Sequence, residues 1–182
     1  MHRIMKKGEN MRLFFTKMHG LGNDYIYMDG FDSRMSKPAA WPSEQKGRLA
    51  VMMSRRHTGI GADGLIFIQP SEEAAFRMEM YNADGSEGEM CGNGARCICR
   101  YGYETGLSGP TQTVETTAGL VTGTRIDRRQ YRVQLNSPTV IRLHEAPVVE
   151  GKAWPCAYVE LGSPGLPHAV VPYPGLADAD PQ

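Results

Sequence analysis

The chain carries no net charge, because its 20 lysines and arginines equal its 20 aspartates and glutamates, and the two signs are interspersed rather than blocked. That balance argues against a basic face for nucleic acid. No apolar run approaches the roughly 20 residues that a membrane span requires. The opening "MHRIMKKGEN" has charge but no apolar stretch behind it, so neither a secretory leader nor a membrane partner is expected. Internal repeats and low-complexity tracts are missing too. Cysteine is scarce, with four: Cys91, Cys97, Cys99 and Cys156. In a chain read as cytoplasmic these stay reduced, so catalysis, metal binding or packing must account for them. A zinc site needs a second pair of ligands at suitable spacing, which Cys156 and the scattered histidines do not supply, so no metal is expected. "GIGADG" lacks the Lys-Ser or Lys-Thr ending of a phosphate loop and the spacing of a dinucleotide fingerprint. No lysine stands where it would mark a pyridoxal Schiff base, and no cofactor is expected.

What remains is ordinary globular material, 41% hydrophobic and 22% charged, long enough for one well-cored domain or one domain plus part of another. Met11 opens a better strand than Met1, so residues 1–10 read as an extension. "RLFFTKM" and "YIYMD" read as strands joined by the loop "HGLGND". After Pro42 the spacing predicts a helix with Ser43 as N-cap, Leu49, Met52 and Met53 on one face, and Arg55, Arg56 and His57 near its end. "LIFIQ" reads as a buried strand. "FRMEMYN" alternates Phe76, Met78 and Met80 against Arg77, Glu79 and Tyr81, the period of a strand with one wet face. Residues 95–104 support a short helix closing at Gly106. "TVETT", a turn at Ala118-Gly119, "LVTGTRI", a turn at 127–129 and "YRVQL" follow as an antiparallel meander. From Asn136 to Trp154 the pattern is irregular around Pro138 and Pro147. A boundary is therefore expected there, with residues 1–137 as a first lobe and 138–182 as a linker and incomplete second lobe.

The chemistry-bearing stretch is "YNADGSEGEMCGNGARCICRYG", with three of the four cysteines. Cys91 stands at the mouth of the predicted helix, where the helix dipole favours a thiolate over a thiol of ordinary pKa about 8.5. Such a sulfur can act as a base. Gly92 and Gly94 leave the backbone open, and unpaired N–H groups at a helix start suit a carboxylate. The bland alternative is a buried thiol beside a tight turn. Cys97 and Cys99 lie on different helix faces and read as packing.

Four segments in order, "FTKMHGLGNDY", "RRHTGIGADGLI", "YNADGSEGEMCGNGARC" and more weakly "PHAVV", resemble the diaminopimelate epimerase family. The resemblance implies an α+β fold in which an antiparallel curved sheet wraps a central helix beginning near Gly94, one lobe of a two-lobed pseudo-symmetric molecule. It implies a cofactor-independent isomerase in which two cysteines invert the α-carbon of diaminopimelate, a small-molecule substrate of lysine and peptidoglycan biosynthesis. Cys91 inherits the role of the first cysteine. His168 matches a histidine that tunes a catalytic cysteine. Gly92 and Asn93 match the binding site of the reacting carboxylate, while Asn23 and Asn82 match positions that hold the distal end of the substrate. A homodimer is left open. Two departures bear on distal recognition: Leu166 occupies an asparagine position, and Gly64 stands where some members have glutamine. No second cysteine-glycine motif follows Val171, so the chain reads as truncated and feeble or inactive in inversion by itself. The alternatives are a related proline or hydroxyproline racemase, or a vestigial lobe that binds an amino acid without turnover.

Overall fold

The structure, a computed structural model, describes residues 3–6, 9–32, 41–163 and 165–175. The chain separates into two compact units, Met1–Leu135 and Asn136–Gln182.

The first unit opens with a small hairpin, β1 (Arg3–Lys6) and β2 (Glu9–Arg12), which pairs residues of the expected extension, 1–10, with the Met11 and Arg12 that follow it. Its main body is one sheet made from β3 (Thr16–Gly20), β4 (Asn23–Asp29), β5 (Gly64–Gln69), β6 (Phe76–Asn82), β8 (Thr111–Thr116), β9 (Gly119–Arg125) and β10 (Tyr131–Gln134). The short β7 (Glu87–Gly88) pairs with β6 off the main path. The order is β10-β9-β8-β6-β5-β4-β3. Pairing is mostly antiparallel, with β4–β5 and β6–β8 parallel. The parallel β4–β5 step needs a crossover, and α1 (Ser43–Ser54) lies within it. The second helix, α2 (Gly92–Glu104), touches β3 and β10, the two ends of that order, as well as β4, β8 and β9. A flat sheet could not bring both ends to one helix, so the sheet curls around α2.

Each face of the sheet has its own cover. On one face Ile26, Met28, Leu65, Phe67 and Tyr81 pack with Leu49, Ala50 and Met53 of α1. On the other, a Cβ built on Gly94 would lie 2.9 Å from Ile66, and one on Gly102 would lie 2.6 Å from Phe76, so α2 sits close against the sheet. This explains why β5 is buried at every position. It also corrects in part the reading of β6 as a strand with one wet face: Arg77 is exposed, but α1 covers the rest of that side, where Glu79 is half-buried and Tyr81 is buried.

Other differences are local. The loop expected at "HGLGND" shrinks to Leu21-Gly22, both at positive φ, because β3 and β4 extend to Gly20 and Asn23. Met52 faces solvent, while Lys46, Leu49, Ala50 and Met53, at helical spacing, form the buried face. Pro42, not Ser43, occupies the N-cap position, and the Ser43 hydroxyl instead bonds the Tyr81 hydroxyl at 3.0 Å. Residues 95–104 are helical, but α2 starts earlier, at Gly92. The meander of β8, β9 and β10 is present, its first turn falling at Thr117-Ala118 rather than Ala118-Gly119.

In the second unit, β11 (Pro138–Glu145), β14 (Cys156–Leu161) and β15 (Leu166–Val170) form an antiparallel sheet in the order β11-β14-β15. β12 (Val148–Val149) and β13 (Lys152–Ala153) form a separate hairpin. The segment expected to be irregular therefore contains an eight-residue strand. Pro138 is its first residue, where a missing N–H is tolerated. No helix among the described residues is long and apolar enough to cross a membrane.

Candidate active site

Cys91 is the N-cap of α2, with extended backbone (φ −133°, ψ 118°). Its Sγ accepts from the Gly94 N–H at 3.4 Å, and Ala95 N donates to its carbonyl at 2.8 Å. The sulfur therefore faces the positive end of the helix. On its other side lies Asn23, brought there by the tight β3–β4 turn, whose Oδ1 accepts from Sγ at 3.3 Å and from Asn93 Nδ2 at 3.2 Å. Asn23 Nδ2 donates to Asp63 Oδ2 at 2.7 Å. Asn93 Oδ1 accepts in turn from Arg96. Cys91, Asn93 and Asn23 thus form one bonded cluster, at the start of β4 and the start of α2.

The cluster is braced by charge. Asp63, in the loop before β5, accepts from the Asp24 N–H at 3.0 Å and pairs with Arg56 at 2.6 Å. Arg56 also reaches Asp24 at 3.0 Å, and Lys17 pairs with Asp24 at 3.0 Å. Burial pushes the Asp24 carboxyl up, but its contacts to Arg56 and Lys17 outweigh this and hold it at about 2. Tyr25 is pushed well above its ordinary value, first by burial and then by its contact with Cys91. Asp63, Arg56 and Tyr25 were not singled out from the sequence. The signal available was the pairing of "ND" at 23–24 with an arginine and an aspartate flanking "HTGIGA", which only the parallel β4–β5 register connects.

The remaining expected residues fall as follows. Gly92 opens α2, and a Cβ there would meet only the Leu135 side chain, at 3.7 Å. Asn82 ends β6, donating from Nδ2 to Ser86 Oγ at 3.0 Å and from its backbone N–H to the Ser86 carbonyl at 2.8 Å. Its strand register faces Gly64. A side chain at Gly64 would run into the Tyr81 carbonyl and lie 3.0 Å from the Tyr25 ring, so glutamine has no room here without a shift. His168 lies in the second unit on β15, exposed, with Nδ1 3.0 Å from the Leu166 carbonyl. Cys97, Cys99 and Cys156 are buried. Burial pushes the Cys97 thiol up and that of Cys99 to about 12, which suits packing rather than chemistry. A cavity of about 550 Å³ lies over α2 between His19, Arg96, Arg100, Arg129 and Tyr131, meeting the cluster only through Arg96.

A curled sheet closed on a helix is the fold of known amino-acid racemases. A probable proline racemase from Agrobacterium radiobacter superposes with a TM-score of 0.59 at 19% identity, over 86% of this chain and 51% of that one. The sequence is more specific. The family description "Diaminopimelate epimerase" matches residues 15–141. The diaminopimelate epimerase of Agathobacter rectalis is 41% identical, covering 86% of this chain and 60% of the relative. That of Desulfovibrio desulfuricans is 39% identical, covering 92% and 63%. The chain belongs to the diaminopimelate epimerase family, a family of isomerases. It spans about 60% of the length of these relatives.

Proposed function

We propose that this chain carries the first half-site of a diaminopimelate epimerase, with Cys91 as the group that moves the α-proton on one face of the substrate. The observation that carries this reading is the sulfur at the N-cap of α2, half-buried, with Gly94 N–H on one side and Asn23 Oδ1 on the other. The amides of Gly92 and Asn93 precede the first bonded amides of the helix and would take the reacting carboxylate, which neutralises the positive end of α2 beside the sulfur. Asn23 and Asn82 are proposed to contact the remainder of the substrate, and Asn82 would exchange its bond to Ser86 to do so. His168 would act through the second unit, whose sheet is the start of the second lobe. The four free cysteines fit a reducing, cytoplasmic setting.

The racemases share the fold at low identity, whereas the matching sequences at 39–41% are diaminopimelate epimerases, and that favours diaminopimelate as substrate. Inversion needs a donor on the face opposite Cys91. A positioned acid or base contributes about 10²- to 10⁴-fold, so these 182 residues by themselves should exchange the α-proton far better than they invert it.

Proton NMR of LL- and meso-diaminopimelate in D₂O tests this. The expected result is deuterium at one α-carbon, lost in Cys91→Ala, with little interconversion of isomers. Exchange that survives in Cys91→Ala would remove Cys91 from the role proposed for it.

A further inference from the structure

Asn23 can offer the sulfur either end of its carboxamide, and the two ends have opposite consequences: an oxygen accepts S–H, whereas an NH₂ donates to a thiolate. Two charged residues decide which end is presented. Asp63, as a carboxylate, only accepts, and it takes Asn23 Nδ2 at 2.7 Å. Arg96 only donates, and it takes Asn93 Oδ1, which leaves Asn93 Nδ2 to meet Asn23 Oδ1 at 3.2 Å. The donors thus run in one direction, from Arg96 through Asn93 and Asn23 to Asp63. Sγ consequently faces oxygen at 3.3 Å.

We propose that Asp63 is a positioning residue for Cys91: through Asn23 it holds an acceptor against the sulfur, opposite the N–H donor of α2. This rests on the reading of Cys91 as an acid and base. The sulfur is then bonded in both protonation states, donating to Asn23 Oδ1 as a thiol and accepting from Gly94 N–H as a thiolate. A group that takes a proton in one direction of a reversible reaction and returns it in the other needs both. Asp63 is itself rigidly held, by Asp24 N–H at 3.0 Å and Arg56 at 2.6 Å, while its own N–H donates to the Asp24 carbonyl at 2.8 Å. The other titratable groups around the sulfur are Tyr25 and Tyr27 on β4 and Cys97 on α2. Burial raises all three and keeps them neutral at physiological pH.

The test is the rate at which iodoacetamide alkylates Cys91 in the full chain, followed by peptide mass spectrometry across the thiol titration range. In Asp63→Asn the new amide can donate to Asn23 Oδ1, so only the Asn93 Nδ2 bond still holds that oxygen toward the sulfur, and the inverted Asn23, which donates to the sulfur, gains population. The expected result is alkylation about two- to tenfold faster near neutral pH, the effect of one hydrogen bond, with the high-pH plateau unchanged. In an Asn23→Ala background the same substitution should add nothing. Asp63→Glu keeps the charge but displaces the carboxylate by one methylene, so it should also accelerate alkylation, and it serves alone if Asp63→Asn does not fold. An unchanged or slower rate in Asp63→Glu, or an Asp63→Asn effect that persists without Asn23, would overturn the proposal. Alkylation is read without substrate, so a failure of α-proton exchange would count against the catalytic reading and not against this one.

Discussion

At the scale of single residues, the site is an arrangement of short-range contacts anchored by ionic ones, and Asp24 is the anchor whose titration can be followed. Its carboxyl is held at about 2 in the folded chain, against about 3.9 in an unfolded one. A depressed carboxyl contributes stability that is fully present above the unfolded value and is lost as pH falls through the folded value. The urea midpoint should therefore drop between about pH 4 and about pH 2. Arg56→Ala leaves burial opposed by Lys17 alone, so the folded value should rise toward the unfolded one, and the loss should be smaller and complete at higher pH. Urea melts on both chains across that window check this, and parallel profiles would show that Arg56 does not hold Asp24. The sequence made Cys91, Asn93 and Asn23 legible because each sits in a contiguous motif. Asp63, Arg56 and Tyr25 were not legible, because their roles depend on a register between strands 39 residues apart in sequence, Asp24 to Asp63. Periodicity carries no information about such a register.

At the scale of elements, the informative surface is the face of α1 that lies on the sheet. It buries Lys46, whose ammonium pairs with Glu79 on β6 at 2.7 Å and lies 5.4 Å above the Phe67 ring. Glu79 also accepts from Tyr81 at 2.7 Å and from Gln69. This buried polar cluster ties α1 to β5 and β6, within the crossover between the parallel strands β4 and β5. Removing one partner strands the other charge. Lys46→Met is expected to cost about 3–5 kcal/mol, while Lys46→Met with Glu79→Gln should recover part of that loss. Chemical denaturation of the single and double variants measures both, and a single variant as stable as wild type would show that the pair does not hold α1. The elements themselves were largely readable from spacing, since α1, β5, β6 and the β8–β10 meander all fall close to where their patterns put them. The misreadings share a cause. Glu79 and Tyr81 alternate like solvent-facing residues, and Met52 looks apolar enough for a core, because hydropathy records side-chain type and not what a neighbouring element covers. Pro138 looked like a break because proline weighs against a strand interior, but it stands at a strand's first position, where no ladder donor is lost.

At the scale of the whole chain, stability is unevenly distributed. Among the described residues the buried apolar side chains belong almost entirely to the first unit, Cys156 being the exception. The second unit instead exposes Ile141, Leu143, Val148, Val149 and Val170. Burial is the main source of folding free energy, at about 25 cal/mol per Å² of apolar surface, so the two units should open with very different free energies. Hydrogen exchange read by mass spectrometry is expected to find the slowest amides in β5, β6 and α2. Those of β11, β14 and β15 should exchange through local opening, at rates that do not follow global unfolding. Uniform protection across both units would mean that the second unit is stabilised by something other than its own core. The outcome bears on function, because Cys91, Asn93, Asn23 and Asp63 all belong to the first unit and His168 to the second. If the units open independently, the sulfur and its bracing should persist while the second unit is open. Proton exchange at one face of the substrate would then be a property of the first unit. Any influence of His168 on that exchange should weaken under the same conditions that open β15.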